Sequence, residues 1–344
     1  MKQMKTMGLA MVLAHGMGAM GQATAPRPQT QAPPAATAGG TGAPGAQAGA
    51  TTGNAFGPAN PKNFTASSPT TDEVNSFLKV LWGYDENRVW QVAGILKTPA
   101  PGVAKIVVLV ADKRQAGKAM QTVFYTTPDG KHAIADNVID FGATPFAETR
   151  KTLQERANGP ARGAKGNELL LVEFADLQCP QCSESQDKMD KLVQDFPEAR
   201  VVYESYPIGT GRPFDMRAAL DGVCVRKSKG DAAFFTYAQA VYGKQAGLTE
   251  QSAEEVLKGA IVAAGADSAA VSTCAESPEA KAEVDASLKL GEDVGVGITP
   301  ALSVNGRMLP IAQIPYETLK QMVAFQAGLD GIKVRLQPTL STLK

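Results

Sequence analysis

The sequence predicts an α/β protein in two folded parts: a small α+β domain over residues 68–144 and a larger α/β domain over 168–330. Three observations carry that expectation. A continuous apolar run, Leu169-Leu170-Leu171-Val172, is followed at once by an amphipathic helical stretch, the signature of a buried strand feeding a helix. Apolar runs flanking Asn305-Gly306 read as a hairpin near the end of the chain. Upstream, one helical period and four strand-like segments are separated by Pro/Gly turn signals.

The N-terminus reads Met1-Lys2-Gln3-Met4-Lys5, then an apolar segment from Met7 to Met20, then small residues to Ala25. That basic, apolar, small-residue order marks residues 1–25 as a secretory signal peptide. Cleavage after Ala23 suits better than after Ala25, which would leave Pro26 first. An uncleaved leader acting as a membrane anchor is the lesser alternative, because the apolar segment is short for a bilayer span. Residues 26–67 are rich in Ala, Gly, Pro, Thr and Gln, and read as a disordered tether.

In the 68–144 domain, Thr70 and Glu73 have capping-box spacing, and Val74, Phe77, Leu78, Leu81 and Trp82 mark one helical face. Strand-like segments follow at Arg88–Ile95, Ala104–Ala111, Gln121–Thr126 and His132–Asp140, so one helix on a small antiparallel sheet is expected. A polar helix over about Pro145–Ala157 and the stretch Asn158–Asn167 make residues 145–167 a linker helix and loop. The second domain then runs as strand 168–174, helix, strand 200–206, an inserted helical block over about 213–291, the hairpin, and a helix from Pro315 to about Gly328. Residues 331–344 form a C-terminal tail.

The chemistry concentrates in Cys179-Pro180-Gln181-Cys182. Two thiols at this spacing on a strand-to-helix junction suit a redox dithiol. Cys182, Met189, Val193 and Phe196 share one helical face, so Cys182 points to the core. Cys179 precedes the first turn, where unpaired N–H groups and the helix dipole favour a thiolate that remains reachable. Pro180 suits the first helical position, where its missing N–H costs nothing. Cys179 is therefore expected to attack and Cys182 to resolve. Half of a zinc site is the competing account, but Cys224 and Cys274 lie far off and singly. No metal and no organic cofactor are expected. Export permits a structural disulfide between Cys224 and Cys274, closing about fifty residues and worth about 4 kcal/mol; two buried free thiols are the alternative.

Other chemistries are poorly supplied. Only His15 and His132 are present, and acids and bases balance at 34 each, so neither a Cys–His hydrolase nor a nucleic-acid-binding surface is indicated.

Leu171-Val172-Glu173-Phe174 before the dithiol, together with Gly295-Val296-Gly297-Ile298-Thr299-Pro300 before Val304-Asn305-Gly306, resembles bacterial thiol:disulfide interchange proteins of the DsbA type. The resemblance covers about residues 165–330 and implies a thioredoxin-like fold with an inserted helical subdomain. It implies that Pro300 is a cis-proline facing the dithiol and that the backbone of Thr299 pairs with substrate. It also implies that Glu173 is an acidic residue beneath the site, able to relay the proton of Cys182; a partly exposed strand residue is the plainer account. More loosely, by order of elements alone, the first domain resembles the dimerisation module of the DsbC/DsbG isomerases.

With the signal peptide, the resemblance implies a periplasmic or otherwise extracytoplasmic thiol:disulfide oxidoreductase acting on exported proteins that carry thiols or disulfides, reset by a redox partner. A dimeric isomerase or reductase, with a homodimer formed through the N-terminal domain, is one alternative; a non-enzymatic metal- or partner-binding module is another. Gln181 supplies only neutral dipoles, while Glu184 and Asp187 would oppose an anionic sulfur, so a less extreme oxidant than the DsbA oxidase is expected.

Overall fold

The computed structural model describes residues 56–334 apart from 116, 117, 136, 137 and 210. The expected signal peptide, the expected tether up to residue 55 and the expected tail from 335 lie outside the described residues.

Helix α1 (Thr71–Trp82) begins where the sequence indicates. Glu73 N–H donates to Thr70 Oγ1 at 3.2 Å, and Thr70 N–H donates to Glu73 Oε2 at 2.7 Å, satisfying two amides at the helix start. Val74, Phe77 and Leu78 of α1 pack on β1 (Arg88–Lys97), β2 (Ala104–Asp112) and β3 (Ala119–Thr126). The sheet continues through β4 (His132–Ile134) and β5 (Val138–Asp140), all antiparallel in sequential order. The fourth predicted strand is thus two short ones folded back on each other, with Ile134 opposite Val138. The intervening sequence is rich in Asp and Asn, which strands disfavour.

Residues 56–67 depart from the expected tether. Pro61–Asn63 forms a 3₁₀ turn capped by Asn60, and the N–H groups of Thr65 and Ala66 both donate to Ile95 O. The stretch is polar on average, but Phe56 is buried and Phe64 packs against the first core, so two aromatic anchors outweigh the composition around them.

Helix α2 (Ala147–Arg156) leads to β6 (Ala161–Gly163), a short strand inside the stretch read as a connection. It pairs antiparallel with residues 200–202, so the second sheet gains an edge that three residues were too short to announce. Strand β7 (Leu169–Ala175) is buried along its whole length, as expected of a central strand covered on both faces. Helix α3 (Pro180–Asp195) returns the chain to β8 (Ala199–Ser205), parallel to β7. The helical block comprises α4 (Asp215–Lys229), α5 (Asp231–Tyr242), α6 (Ala253–Ala263), α7 (Ser268–Ala275) and α8 (Pro278–Asp293). Strands β9 (Ala301–Val304) and β10 (Arg307–Pro310) form the hairpin, and α9 (Tyr316–Leu329) closes the element order.

The second sheet has the order β10-β9-β7-β8-β6, with β9 antiparallel to β7. Asn305 and Gly306 take φ values of +46° and +93°, the turn conformation that Asn-Gly accommodates. Asn305 also pins the hairpin, accepting from Leu170 N–H at 2.7 Å and donating to Glu168 O at 2.9 Å. Leu169, Leu171, Met189, Leu192, Leu302 and Val323 fill one face of the sheet; Leu170, Val172, Phe174 and Val202 fill the other. Cys224 on α4 and Cys274 on α7 are joined by a disulfide, with Cα atoms 5.9 Å apart. Buried Arg307 on β10 donates to the carbonyls of Val80 and Leu81 at the end of α1, tying the second sheet to the first helix.

Candidate functional site

Strand β7 ends at Ala175, and four residues carry the chain across to α3. Asp176 O accepts from Cys179 N–H at 3.0 Å, which tightens this crossing and sets Cys179 at the helix cap. Cys179 Sγ then accepts from the N–H of Cys182 at 3.4 Å, taking up one of the amides an isolated helix start leaves unpaired. Pro180 occupies the first helical position, and both it and Gln181 are exposed. Cys182 is wholly buried on the face that also buries Met189 and Leu192. Both thiols are free.

Cys179 is not the open sulfur the sequence suggests: the residue is 1% exposed. Leu177 and Ala175 belong to the same buried cluster, and Gln245, just beyond α5, reaches over to donate to the carbonyls of Leu177 and Cys179 at 2.7 and 3.1 Å. Buried Thr299 and Pro300 lie on the other side, and Cys179 Sγ donates to Thr299 O at 3.7 Å. A helical block and a proline loop, both distant in sequence, therefore cover a sulfur that local spacing leaves bare. Exposed Pro180, Gln181 and Ile298 flank it.

The two thiols are driven apart in acidity. Hydrogen bonding with the Cys182 thiol, then with the Cys182 N–H, pulls Cys179 down to about 6 against the opposing effect of burial. The positive charge of Arg212 adds to the lowering. Burial pushes Cys182 far up, and the adjacent Cys179 sulfur adds to that rise. Glu184 and Asp187 are not among the main influences on Cys179, whereas Arg212 is a cation the sequence analysis did not anticipate.

Thr299-Pro300 is a cis peptide bond, and Thr299 Oγ1 is buried without a hydrogen-bond partner. Glu173 on β7 is wholly buried rather than partly exposed. Burial raises its carboxyl to about 7, offset in part by Arg162 and by a 2.9 Å hydrogen bond from Gln186 Nε2. The same Gln186 nitrogen donates to Cys182 O at 3.2 Å, so one amide links the buried acid to the first turn of α3. Tyr203, the β8 neighbour of Glu173, shares a 3.0 Å hydroxyl contact with Tyr242 of α5.

The fold thus gathers Cys179, Cys182, Glu173, Thr299 and Pro300 in one place, with Pro180 and Gln181 at its surface. Cys224 and Cys274 stand apart in the helical block. Arg212, Gln186, Gln245 and the tyrosine pair escaped sequence reasoning. Gln186 had a legible signal, four residues after Cys182 and hence on the same helical face; the others arrive from remote elements. Among the described residues no cluster of three or more His, Cys, Asp or Glu side chains could hold a metal ion, and no helix is long and apolar enough to cross a membrane.

Residues 155–324 match the family model described as thioredoxin. Similar solved structures include a periplasmic thioredoxin-like protein from Salmonella enterica serovar Typhimurium, 24% identical with a TM-score of 0.45, covering 53% of this chain and 97% of that one. ScsC of Proteus mirabilis, in a transitional conformation, is 23% identical with a TM-score of 0.44, covering 53% and 78%. The thiol-disulfide exchange protein alpha-DsbA2 from Wolbachia pipientis is 18% identical with a TM-score of 0.43, covering 51% and 94%. No curated protein sequence matches the chain.

Proposed function

We propose, from the premise that residues 155–324 form a thioredoxin-like domain, that this protein is an extracytoplasmic thiol:disulfide oxidoreductase working through Cys179 and Cys182. The observation that carries this reading is the split between the two buried sulfurs: Cys179, at a helix cap, is pulled down to about 6, while Cys182 is pushed up.

In the oxidising direction a substrate thiolate attacks Cys179 of the Cys179–Cys182 disulfide, and Cys182 leaves as a thiolate that takes up a proton. A second substrate thiolate then attacks the substrate sulfur of the mixed disulfide. Cys179 departs as a thiolate, the substrate has lost two electrons, and the dithiol has gained them. In the reverse direction Cys179 attacks a substrate disulfide and Cys182 releases the product. A low pKa at Cys179 makes it a good leaving group, while the high one at Cys182 keeps the resolving thiol protonated until needed. Glu173, titrating near 7, is suited to exchange that proton, and Gln186 orients its carboxylate. The Thr299 backbone is the proposed partner for a bound substrate strand. Because Cys179 is covered, docking must displace side chains between it and the exposed rim at Pro180, Gln181 and Ile298.

A thiolate at about 6 lies between thioredoxin (about 7) and DsbA (about 3.5), which supports a less extreme oxidant than the DsbA oxidase. Exported proteins are the proposed substrates, delivered to the same compartment by the signal peptide; a separate redox partner resets the dithiol.

A dimeric isomerase or reductase is the second reading. It is favoured by an apolar row across the first sheet, where Tyr125, Ile134 and Val138 are paired in register and exposed by 39%, 37% and 62%. A monomer by light scattering would exclude it.

The test is insulin reduction and refolding of a scrambled disulfide substrate. Cys179→Ser is expected to fall to background in both, and Cys182→Ser to accumulate mixed disulfides that identify the substrates. Retained activity in Cys179→Ser would refute the assignment.

A further inference from the structure

Between β8 and α4 the chain includes Gly209, Gly211, Arg212 and Phe214, two of which contact the crossing that ends at Cys179. Gly209 and Gly211 take φ values of +78° and +71°, a conformation that glycine adopts without strain. Three side-chain contacts hold this loop down. Gly209 N–H donates to Asp215 Oδ2 at 2.6 Å, Phe214 N–H to Gln178 Oε1 at 2.9 Å, and Arg212 Nη1 to Asp176 Oδ2 at 2.6 Å. Two of these three partners, Asp176 and Gln178, belong to the four-residue crossing that ends at Cys179.

Asp176 is the centre of this arrangement. Its side chain is wholly buried, its Oδ1 accepts from Gln178 N–H at 2.7 Å, and its backbone carbonyl accepts from Cys179 N–H. A buried carboxylate is tolerated when its oxygens are paired, so Asp176 both requires a cation and fixes where that cation sits. Arg212 meets the requirement from outside, with its side chain about a quarter exposed. The remaining charged groups nearby are Asp215, which acts on Asp176, and Glu173 with Arg162 behind Cys182. Arg212 is thus the cation on the Cys179 side of the pair, and the influence is mutual: both sulfurs act back on its guanidinium.

We infer that Arg212, carried on the β8–α4 loop and moored to Asp176, supplies the positive charge that stabilises the anionic form of Cys179. Pro180 and Gln181 offer no such charge between the cysteines, so the cation comes from a loop more than thirty residues downstream. Arg212 is a positioning residue: it breaks no bond and acts through the sulfur. The inference rests on the reading of Cys179 as the attacking thiol.

The experiment compares the full chain with Arg212→Gln and Arg212→Lys, titrating thiolate absorbance in the reduced protein and measuring equilibrium with glutathione. Arg212→Gln is expected to raise the Cys179 midpoint by about half a pH unit and to shift the glutathione equilibrium about threefold toward the protein disulfide. Arg212→Lys, which keeps the charge, is expected to restore most of both. A midpoint in Arg212→Gln that overlays the wild type overturns the inference, even if the variant melts at a lower temperature. Should Arg212→Gln not fold, the wild type titrated in low and high salt reads the same charge. Screening of Arg212 raises the midpoint, whereas an unmoved midpoint leaves only the uncharged contacts from Cys182 and overturns it. The underlying reading fails separately, if the low-pH thiolate signal survives in Cys179→Ser.

Discussion

The two sheets of this protein bury very different things. Around the first, the only buried polar side chain among the described residues is Thr126; the rest of that core is aliphatic and aromatic. Around the second, Glu173, Asp176, Glu204, Asp215, Asp221 and Arg307 are all withdrawn from water. Burying charge is costly unless it is paired, so a region that does so repeatedly is committed to something other than stability alone. Most of these groups are well matched. Glu204 accepts from the N–H groups of Asn158 and Gly159 and from Ser287. Asp221 pairs with Arg217 through Oδ1 alone, its Oδ2 is buried without a partner, and burial raises its carboxyl to about 6. Glu173 has a single hydrogen-bond donor, Gln186, and its carboxyl is raised to about 7. Incomplete compensation is shared by Glu173 and Asp221; what sets Glu173 apart is its link, through Gln186, to the first turn of the dithiol helix.

The comparison breaks most readily at the disulfide, which serves the helical block and not the dithiol. Replacing Cys224 and Cys274 together by Ala removes a closure spanning a sequence separation of 50. Unfolding in urea is expected to require about 4 kcal/mol less, while the Cys179 titration stays where it was. A shifted titration would show that the helical block tunes the site through more than its packing, since Gln245 alone reaches the active crossing from beyond α5.

Glu173→Gln sharpens the contrast within the second sheet. The folded carboxyl titrates near 7 and the unfolded one near 4.5, so below 4.5 both states hold the proton and no penalty applies. As pH rises through that window the unfolded chain loses its proton first, and folding stability falls by about 3 kcal/mol in all. Glu173→Gln cannot ionise. It is expected to match the wild type near pH 4.5 and to exceed it by about that amount at pH 8, measured by urea unfolding at both values. A gap that does not widen with pH would mean that the carboxyl ionises without penalty. The same variant is expected to slow dithiol reoxidation above pH 7, where the wild-type carboxylate can accept the Cys182 proton.

Legibility in the sequence followed range. The capping box at Thr70 and Glu73, the cysteine pair at a strand-to-helix junction and the turn at Asn305-Gly306 each depend on contacts within a few residues, and each lies where local spacing places it. The proline at 300 was found through resemblance, since nothing local announces which strand it will face. Arg212, Gln245 and Tyr242 were missed because three separate elements carry them to the site. The covering of Cys179 was missed for the same reason: helix geometry says which way a cysteine points, but not what a helical insertion lays over it. Phe56 and Phe64 show the converse failure, where average composition concealed two anchors.

The smallest expected effect tests whether the two sheets are one cooperative unit. Thr70→Ala removes the acceptor for Glu73 N–H and the reciprocal partner of the Glu73 carboxylate, at a cost of about 1 kcal/mol to α1. Arg307 donates to the carbonyls of Val80 and Leu81 at the other end of that helix. If the link holds the regions together, amide exchange is expected to quicken about fivefold in α1 and in the strands of both sheets. If exchange quickens in α1 and β1–β5 alone, the first sheet opens by itself and Arg307 is an anchor rather than a coupling. In either case the Cys179 midpoint is expected to stay near 6, because the groups that set it all lie beyond residue 175.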